Sequence, residues 1–289
     1  IHGGPFANIA HGCNSVIATT TALKLSDYVV TEAGFGADLG AEKFMDIKCR
    51  AAGLTPNAVV IVATVRALKM HGGVEVDQLG EENVEALLKG TANLQKHIES
   101  IQAFGVPYVI AINKFAKDTP AEVKALFDWC KENHHPVAEA DGWANGGAGM
   151  ETLAQMVVDE CEQVSHYAPI YDVQDSIEEK VTKIASTIYG AKDVEFSDEA
   201  KSKIEIFKKY GWDKLPVCMA KTQNSLSDDA KLVGRPEGFT IHVRDINISR
   251  GAGFVVVYTG NVLTMPGLPK VPAAVHMGID KNGETFGLF

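Results

Sequence analysis

Four loops hold the side chains of this sequence best suited to chemistry. The first is the opening segment, His2-Gly3-Gly4-Pro5-Phe6-Ala7-Asn8-Ile9-Ala10-His11-Gly12. Gly3 and Gly4 permit close backbone approach, and the helix start behind them offers free N–H groups and a positive dipole end to an oxyanion. Asn8 and His11 add hydrogen-bonding side chains, although a tight turn with an N-cap and a core histidine fits the same residues. The second loop, Glu32-Ala33-Gly34-Phe35-Gly36-Ala37-Asp38-Leu39-Gly40, approximates the dinucleotide fingerprint but spaces its glycines G-x-G-x-x-x-G. Here glycine either lets a ligand approach or merely relieves sterics between a strand and a helix.

The third loop, Asn113-Lys114-Phe115-Ala116-Lys117-Asp118-Thr119, follows the apolar run YVIAI. Its Asn113-Lys114 pair suits a base-reading loop of a nucleotide-binding protein, with Asp118 one place too late. Phe115 at the strand end either stacks on a ligand or plugs the top of the core. The fourth, Asp141-Gly142-Trp143-Ala144-Asn145-Gly146-Gly147-Ala148-Gly149, places an indole among glycines. A rigid amphipathic ring on a mobile loop suits stacking on a flat heterocycle; the alternative is that it packs its loop against the body. The sequence has no phosphate-cradling G-x-x-x-x-G-K-[ST] run, no H-E-x-x-H and no G-x-S-x-G. His134 and His135 are adjacent and cannot face one metal from a helix, so no metal ligands are assigned.

The elements that must position these loops alternate. Helical periodicity over Ala7 to Leu25 leads to an expected strand at Tyr28 to Thr31. A helix near Ala41 to Ala52 ends at Gly53, and the run AVVIVAT from Ala58 to Thr64 reads as a parallel strand covered on both faces. An apolar stripe from Glu82 to Phe104 precedes the strand Tyr108 to Ile112, and Thr119-Pro120-Ala121-Glu122 has the capping-box arrangement of a helix start. A short strand Pro136 to Ala140, the glycine-rich loop and a helix through Leu153, Met156, Val157, Cys161 and Val164 complete a doubly wound, mostly parallel α/β pattern. Beyond Pro169 come helices at Ser176 to Tyr189 and Ser197 to Tyr210, then strands at Val217 to Ala220, Phe239 to Val243 and Phe254 to Tyr258. We read residues 1–167 as one α/β domain and 168–289 as a second, smaller one.

With 289 residues, 46% hydrophobic and 22% charged, the chain can bury a substantial core. Its net charge of -10 argues against general affinity for nucleic acid or anionic membranes, and an anionic substrate needs a local basic pocket. The cysteines form no C-x-x-C pair and read as reduced thiols; with no membrane-spanning run and no signal-like start, the protein is expected in the cytoplasm.

Taken together, HGGPFANIAHGCNS (residues 2–15), EAGFGADLGAEKF (32–44), AINKF with Asp118-Thr119, GWANGGAG (142–149), CMAKTQNSLSDD (218–229) and the closing segment from Thr264 resemble formate-tetrahydrofolate ligase from end to end, as its carboxyl-terminal half. The resemblance implies ATP-dependent joining of formate to tetrahydrofolate through formyl phosphate, with Mg²⁺ arriving on ATP and a monovalent cation such as K⁺ or NH₄⁺. It implies that Phe115 and Trp143 sandwich the folate ring. Gly3, Gly4, Asn8 and His11 are then expected to shape the formyl-phosphate pocket as catalytic residues, with Phe35 and Gly36 lining its mouth and Asn113 and Lys114 on the nucleotide side. The family's P-loop lies in an amino-terminal half that these residues do not include, so this chain alone is expected to be inactive, and bacterial-type members are commonly homotetramers. Two alternatives stay open: a non-catalytic folate-binding or assembly fragment, and another P-loop-related kinase or GTPase.

Overall fold

The computed structural model describes residues 12–260, 262 and 270–287. Helix α1 (Val16–Leu25) starts at Ser15, whose hydroxyl accepts the Ala18 N–H at 3.1 Å, so the described part of the expected Ala7 to Leu25 helix begins later than periodicity suggested. The strand expected over Tyr28 to Thr31 does not form. No described strand lies beside it, and Val30 is 89% exposed. β-branched residues favour a strand only where a neighbour takes up the backbone bonds.

Helix α2 covers residues 37–52, with π-helical turns at Ala37–Ala41 and Phe44–Cys49, and stops at Gly53 with φ 63°. Its widened turns accompany an unusual interior: Asp38, Glu42, Lys43, Asp46 and Lys48 are all buried. Strand β1 (Val59–Ala63) runs into α3 (Val65–His71), which starts on the Thr64 hydroxyl. There follow α4 (Val84–Ala103), β2 (Tyr108–Asn113), α5 (Pro120–Glu132) and β3 (Val137–Ala140). The expected capping box at Thr119 and Glu122 is present. Buried Glu122 also meets Lys69 Nζ at 2.8 Å and accepts the Asn83 N–H at 2.9 Å, so one carboxylate joins α3, α4 and α5.

The three strands make a parallel sheet in the order β1-β2-β3, in register at Ile61 with Ile110 and Ile112 with Glu139. One face buries Ile61, Ile110 and Ile112 against Leu87, Leu94, Ile98 and Leu126. Residues expected to form a glycine-rich loop instead make a helical turn α6 (Gly142–Asn145) and a 3-10 turn (Gly146–Met150), leading into α7 (Glu151–Cys161). Leu153 of α7 covers Val109, Ala111 and Ala138 on the second face. That cover does not reach β1, where Val62 is 62% exposed, so the expectation of a strand shielded on both faces fails at this edge.

The rest builds a second sheet. Helix α8 (Ile177–Ile184) continues through a π turn to Tyr189, and β4 (Asp193–Phe196), α9 (Asp198–Lys209), β5 (Val217–Ala220), β6 (Thr240–Ser249) and β7 (Phe254–Thr259) follow. The sheet order is β4-β6-β7-β5, antiparallel only between β6 and β7. Its core contains Ile177, Val181, Ile188, Ile241 and Val255 and takes in Met45, Cys49, Phe104 and Val106 from the first part of the chain. A two-stranded hairpin, β8 (Gly278–Ile279) with β9 (Thr285–Phe286), lies near the end.

Candidate functional site

Adjacent parallel strands deliver their loops to the same edge of a sheet, and in open α/β sheets ligands gather at that carboxyl edge. Asn113, the last residue of β2, is in register with Ala140, the last of β3. Phe115 and Trp143 therefore leave neighbouring strands side by side, two residues past the end of β2 and three past the end of β3. Their loops are joined: the Lys114 N–H donates to the Ala140 carbonyl at 3.1 Å. Phe115 is 53% exposed and Trp143 87%, so neither ring plugs the core. No ring contact links the two among the described residues.

The turns beneath these rings hold themselves. Asp118 Oδ2 accepts the Phe115 N–H at 2.9 Å, which occupies the carboxylate in its own turn rather than in reading a base. The Asp141 N–H donates to the Gly149 carbonyl at 3.1 Å and closes the Trp143 segment. Lys114 Nζ lies 3.5 Å from both Glu139 and Asp141, whose charges, Glu139 foremost, raise its pKa. It is a solvent-facing cation already flanked by two carboxylates, and Asn113 stands half-buried at the foot of the same loop.

The Glu32 to Gly40 loop is built differently. Phe35 has φ 68°, a left-handed conformation that a bulky side chain rarely adopts, and its ring is 44% exposed. The Gly34 N–H donates to the Gly12 carbonyl at 2.8 Å, and the Leu39 and Gly40 N–H groups both donate to the Gly36 carbonyl. Gly40 is required by packing, because a Cβ there would lie 2.0 Å from the Gly34 carbonyl oxygen. Gly3, Gly4, Asn8 and His11 lie outside the described residues; later in the chain, Asn14 Oδ1 accepts from Lys48 Nζ at 2.6 Å and from the Thr31 hydroxyl at 2.8 Å.

The sequence alone assigned nothing to the buried charges that follow this loop. Lys221 Nζ reaches Asp38 Oδ2 at 2.8 Å, with both side chains buried. Burial pushes the Asp38 pKa up, but the Lys221 ammonium, aided by His97, outweighs it and holds the carboxylate below its usual range. Burial lowers the pKa of His97, and that of His71 to about 4, so both are neutral imidazoles near neutral pH. Farther along α2, burial drives Glu42 well above the ordinary carboxylate range and raises Asp46 to about 7. As carboxylates, both Glu42 oxygens and Asp46 Oδ2 would lack a hydrogen-bond partner, whereas a proton on Glu42 shared with Asp46 pairs one oxygen of each. The one sequence signal for Lys221 was an apolar strand, VCMA, running directly into a lysine.

Open, parallel-dominated sheets flanked by helices define an α/β protein. The family model for formate-tetrahydrofolate ligase matches residues 1–289, the whole chain, and the chain belongs to that family. Among the described residues no helix is long and apolar enough to cross a membrane.

Proposed function

We propose that the chain supplies the folate-binding part of an enzyme that uses ATP to join formate to tetrahydrofolate. The observation that carries this reading is the pair Phe115 and Trp143, two exposed rings on linked loops leaving neighbouring parallel strands. A flat pterin entering between them gains stacking on both faces and covers apolar area. In the reaction, a formate oxygen attacks the γ-phosphorus of ATP, the bond to the bridging oxygen breaks and ADP leaves, giving formyl phosphate. N10 of tetrahydrofolate then attacks the formyl carbon, phosphate leaves, and N10 gives up its proton to yield 10-formyltetrahydrofolate. Mg²⁺ bound to ATP serves the first step by neutralising charge on the phosphates. Gly3, Gly4, Asn8 and His11 shape the formyl-phosphate pocket in this reading, with Phe35 and Gly36 at its mouth and Asn113 and Lys114 on the nucleotide side.

The lysine and backbone cradle for the β and γ phosphates come, on this proposal, from an amino-terminal half outside these 289 residues. The missing P-loop pattern in the sequence supports that, as does the uncovered apolar face of β1 at Val60 and Val62, where a doubly wound sheet continues. A preparation proven by mass to hold only these residues is expected to release no ADP with saturating formate. Adding the P-loop half in trans should restore turnover; a folate-binding or assembly fragment would stay silent.

The folate site is tested by Trp143→Ala and Phe115→Ala in the complete ligase. Each should raise the folate Kd about fivefold to thirtyfold, from the loss of roughly 1–2 kcal/mol of stacking and apolar contact. The formate-activation half-reaction should be spared. Isothermal titration across the four-member cycle should show coupling between the rings, because they clamp opposite faces of one ligand. Unchanged folate affinity in a folded Trp143→Ala protein would refute the sandwich.

A further inference from the structure

We propose that Asp38 and Lys221 are positioning residues for the ligase reaction: their buried ion pair, reaching from the second sheet to α2, fixes the Gly34-Phe35-Gly36 turn in the form that presents the Phe35 ring. This rests on the assignment of Phe35 and Gly36 to the pocket mouth.

Lys221 is the residue directly after β5, whose four residues are all buried. Beyond Asp38 Oδ2, its ammonium donates to the Thr222 carbonyl at 2.8 Å and to the Ser225 carbonyl, so all three of its hydrogens are taken. It also sits 5.1 Å from the centre of the Tyr189 ring. A cation held by this many fixed groups is a rigid anchor for Asp38. Asp38 transmits that anchor to the turn, since a Cβ on Gly36 would lie 2.7 Å from Asp38 Oδ1 and 3.7 Å from His97 Cε1. Gly36 thereby packs against the anchored carboxylate on the side where a side chain would stand, and its carbonyl accepts the first N–H groups of α2. Phe35, one residue earlier, keeps a left-handed backbone that must be imposed from outside, because its own side chain disfavours it.

Bonds besides the ion pair also dock the 221–235 segment on the first part of the chain. Gly234 is bonded to His71 Nδ1 and to Asn93 Nδ2, at 3.0 Å and 2.8 Å, and Arg235 makes two 2.8 Å bonds to Glu99. Replacing the pair by apolar residues of similar size, Asp38→Leu with Lys221→Met, should therefore keep the fold while removing the anchor.

The test uses the complete ligase in five forms: native, Asp38→Asn, Lys221→Met, the Asp38→Leu/Lys221→Met double variant, and Phe35→Ala. Circular dichroism and Tm certify folding at the assay temperature. Amide hydrogen exchange is read over residues 33–41, and kcat and KM are measured for formate and for tetrahydrofolate. In the folded double variant, exchange over 34–40 should rise at least about tenfold. Its kcat/KM for formate should fall about tenfold or more, as a misplaced binding wall demands, while KM for tetrahydrofolate holds. Asp38→Asn, which keeps an oxygen facing Lys221, should fall between it and the native enzyme. Unchanged exchange at 34–40 in the folded double variant overturns the proposal. So does an unchanged kcat/KM for formate, and Phe35→Ala then shows where the fault lies. If Phe35→Ala impairs formate use and the pair variants do not, positioning is wrong; if Phe35→Ala is also silent, the assignment of Phe35 to the pocket has failed instead.

Discussion

The loops at residues 33–40 and 141–149 each set one aromatic ring among glycines, yet they solve opposite problems. The first rests on buried charge: Gly40 has no room for a methyl group, and Asp38 is locked to Lys221. At the tip of the second, Cβ atoms on Gly146 and Gly147 would meet nothing within 4 Å, and the Trp143 indole is in solvent. Only at its base, where a Gly149 Cβ would lie 2.3 Å from the Asp141 carbonyl oxygen, is the second loop tight. A strained ring needs a rigid foundation that folding provides. An exposed ring leaves its ordering to whatever binds it, and so gives up part of its stacking energy on binding.

The sharpest way to break this comparison is to add one methyl group to each loop. Gly40→Ala should destabilise the protein by about 3 kcal/mol, at the upper end of overpacking costs, because the contact is with backbone that cannot turn aside. Denaturant titration reads the difference; a loss under about 1 kcal/mol would mean that the first loop is as yielding as the second.

A smaller effect sharpens the contrast within α2 itself. Asp38 and Glu42 lie one turn apart, both buried, but the Lys221 charge outweighs burial at Asp38 while burial outweighs the Lys43 charge at Glu42. Stability from Asp38 is present above the ordinary carboxylate range and fades as the pH falls through its depressed pKa. Glu42 and Asp46 act in the other sense. The folded protein keeps protons that the unfolded chain releases near pH 4, so their contribution is whole below that pH and is lost as pH rises, for Asp46 through about 7. Glu42→Gln copies the protonated acid without a titratable proton. It should raise stability at pH 8 by at least about 1 kcal/mol and change it little at pH 5. Thermal melts across that range check it, and equal shifts at both ends would exclude the shared proton.

The smallest effect belongs to the outer loop. Gly147→Ala should alter stability by less than about 0.5 kcal/mol, as an uncrowded surface substitution does. A melt shifted as far as that of Gly40→Ala would mean that the Trp143 loop packs tightly after all.

What could be read without coordinates was local. Thr119, Ser176 and Ser197 start helices where their hydroxyls accept the orphan N–H groups of the first turn, and Gly53, Gly190 and Gly211 end helices in left-handed geometry. The apolar runs of β1 and β2 announced a parallel sheet, and the loop positions of Phe115 and Trp143 followed from the strands before them. Shorter elements escaped: α3 spans two turns, and β4 shows little alternation of its own, deriving its backbone bonds from β6. Tyr28 to Thr31 had the composition of a strand but no neighbour in the described structure. Trp143 was expected on an open loop, but backbone bonds within residues 141–149 wind that loop into helical turns.

The interior of α2 shows most clearly where sequence alone stops. Its residues Asp38, Glu42, Lys43, Asp46 and Lys48 have the composition of a solvated helix face, yet all are buried where α2 packs between the two sheets. Charge in a sequence predicts exposure because an isolated ion loses several kcal/mol of hydration on burial. That rule yields only when a partner arrives with fixed geometry, and the partner of Asp38 is Lys221, far along the chain at the end of β5 in the second sheet. The sequence determined that these residues are charged and that α2 is helical; tertiary packing decided that the charges would be interior and that Asp38 would pair with Lys221 across the fold.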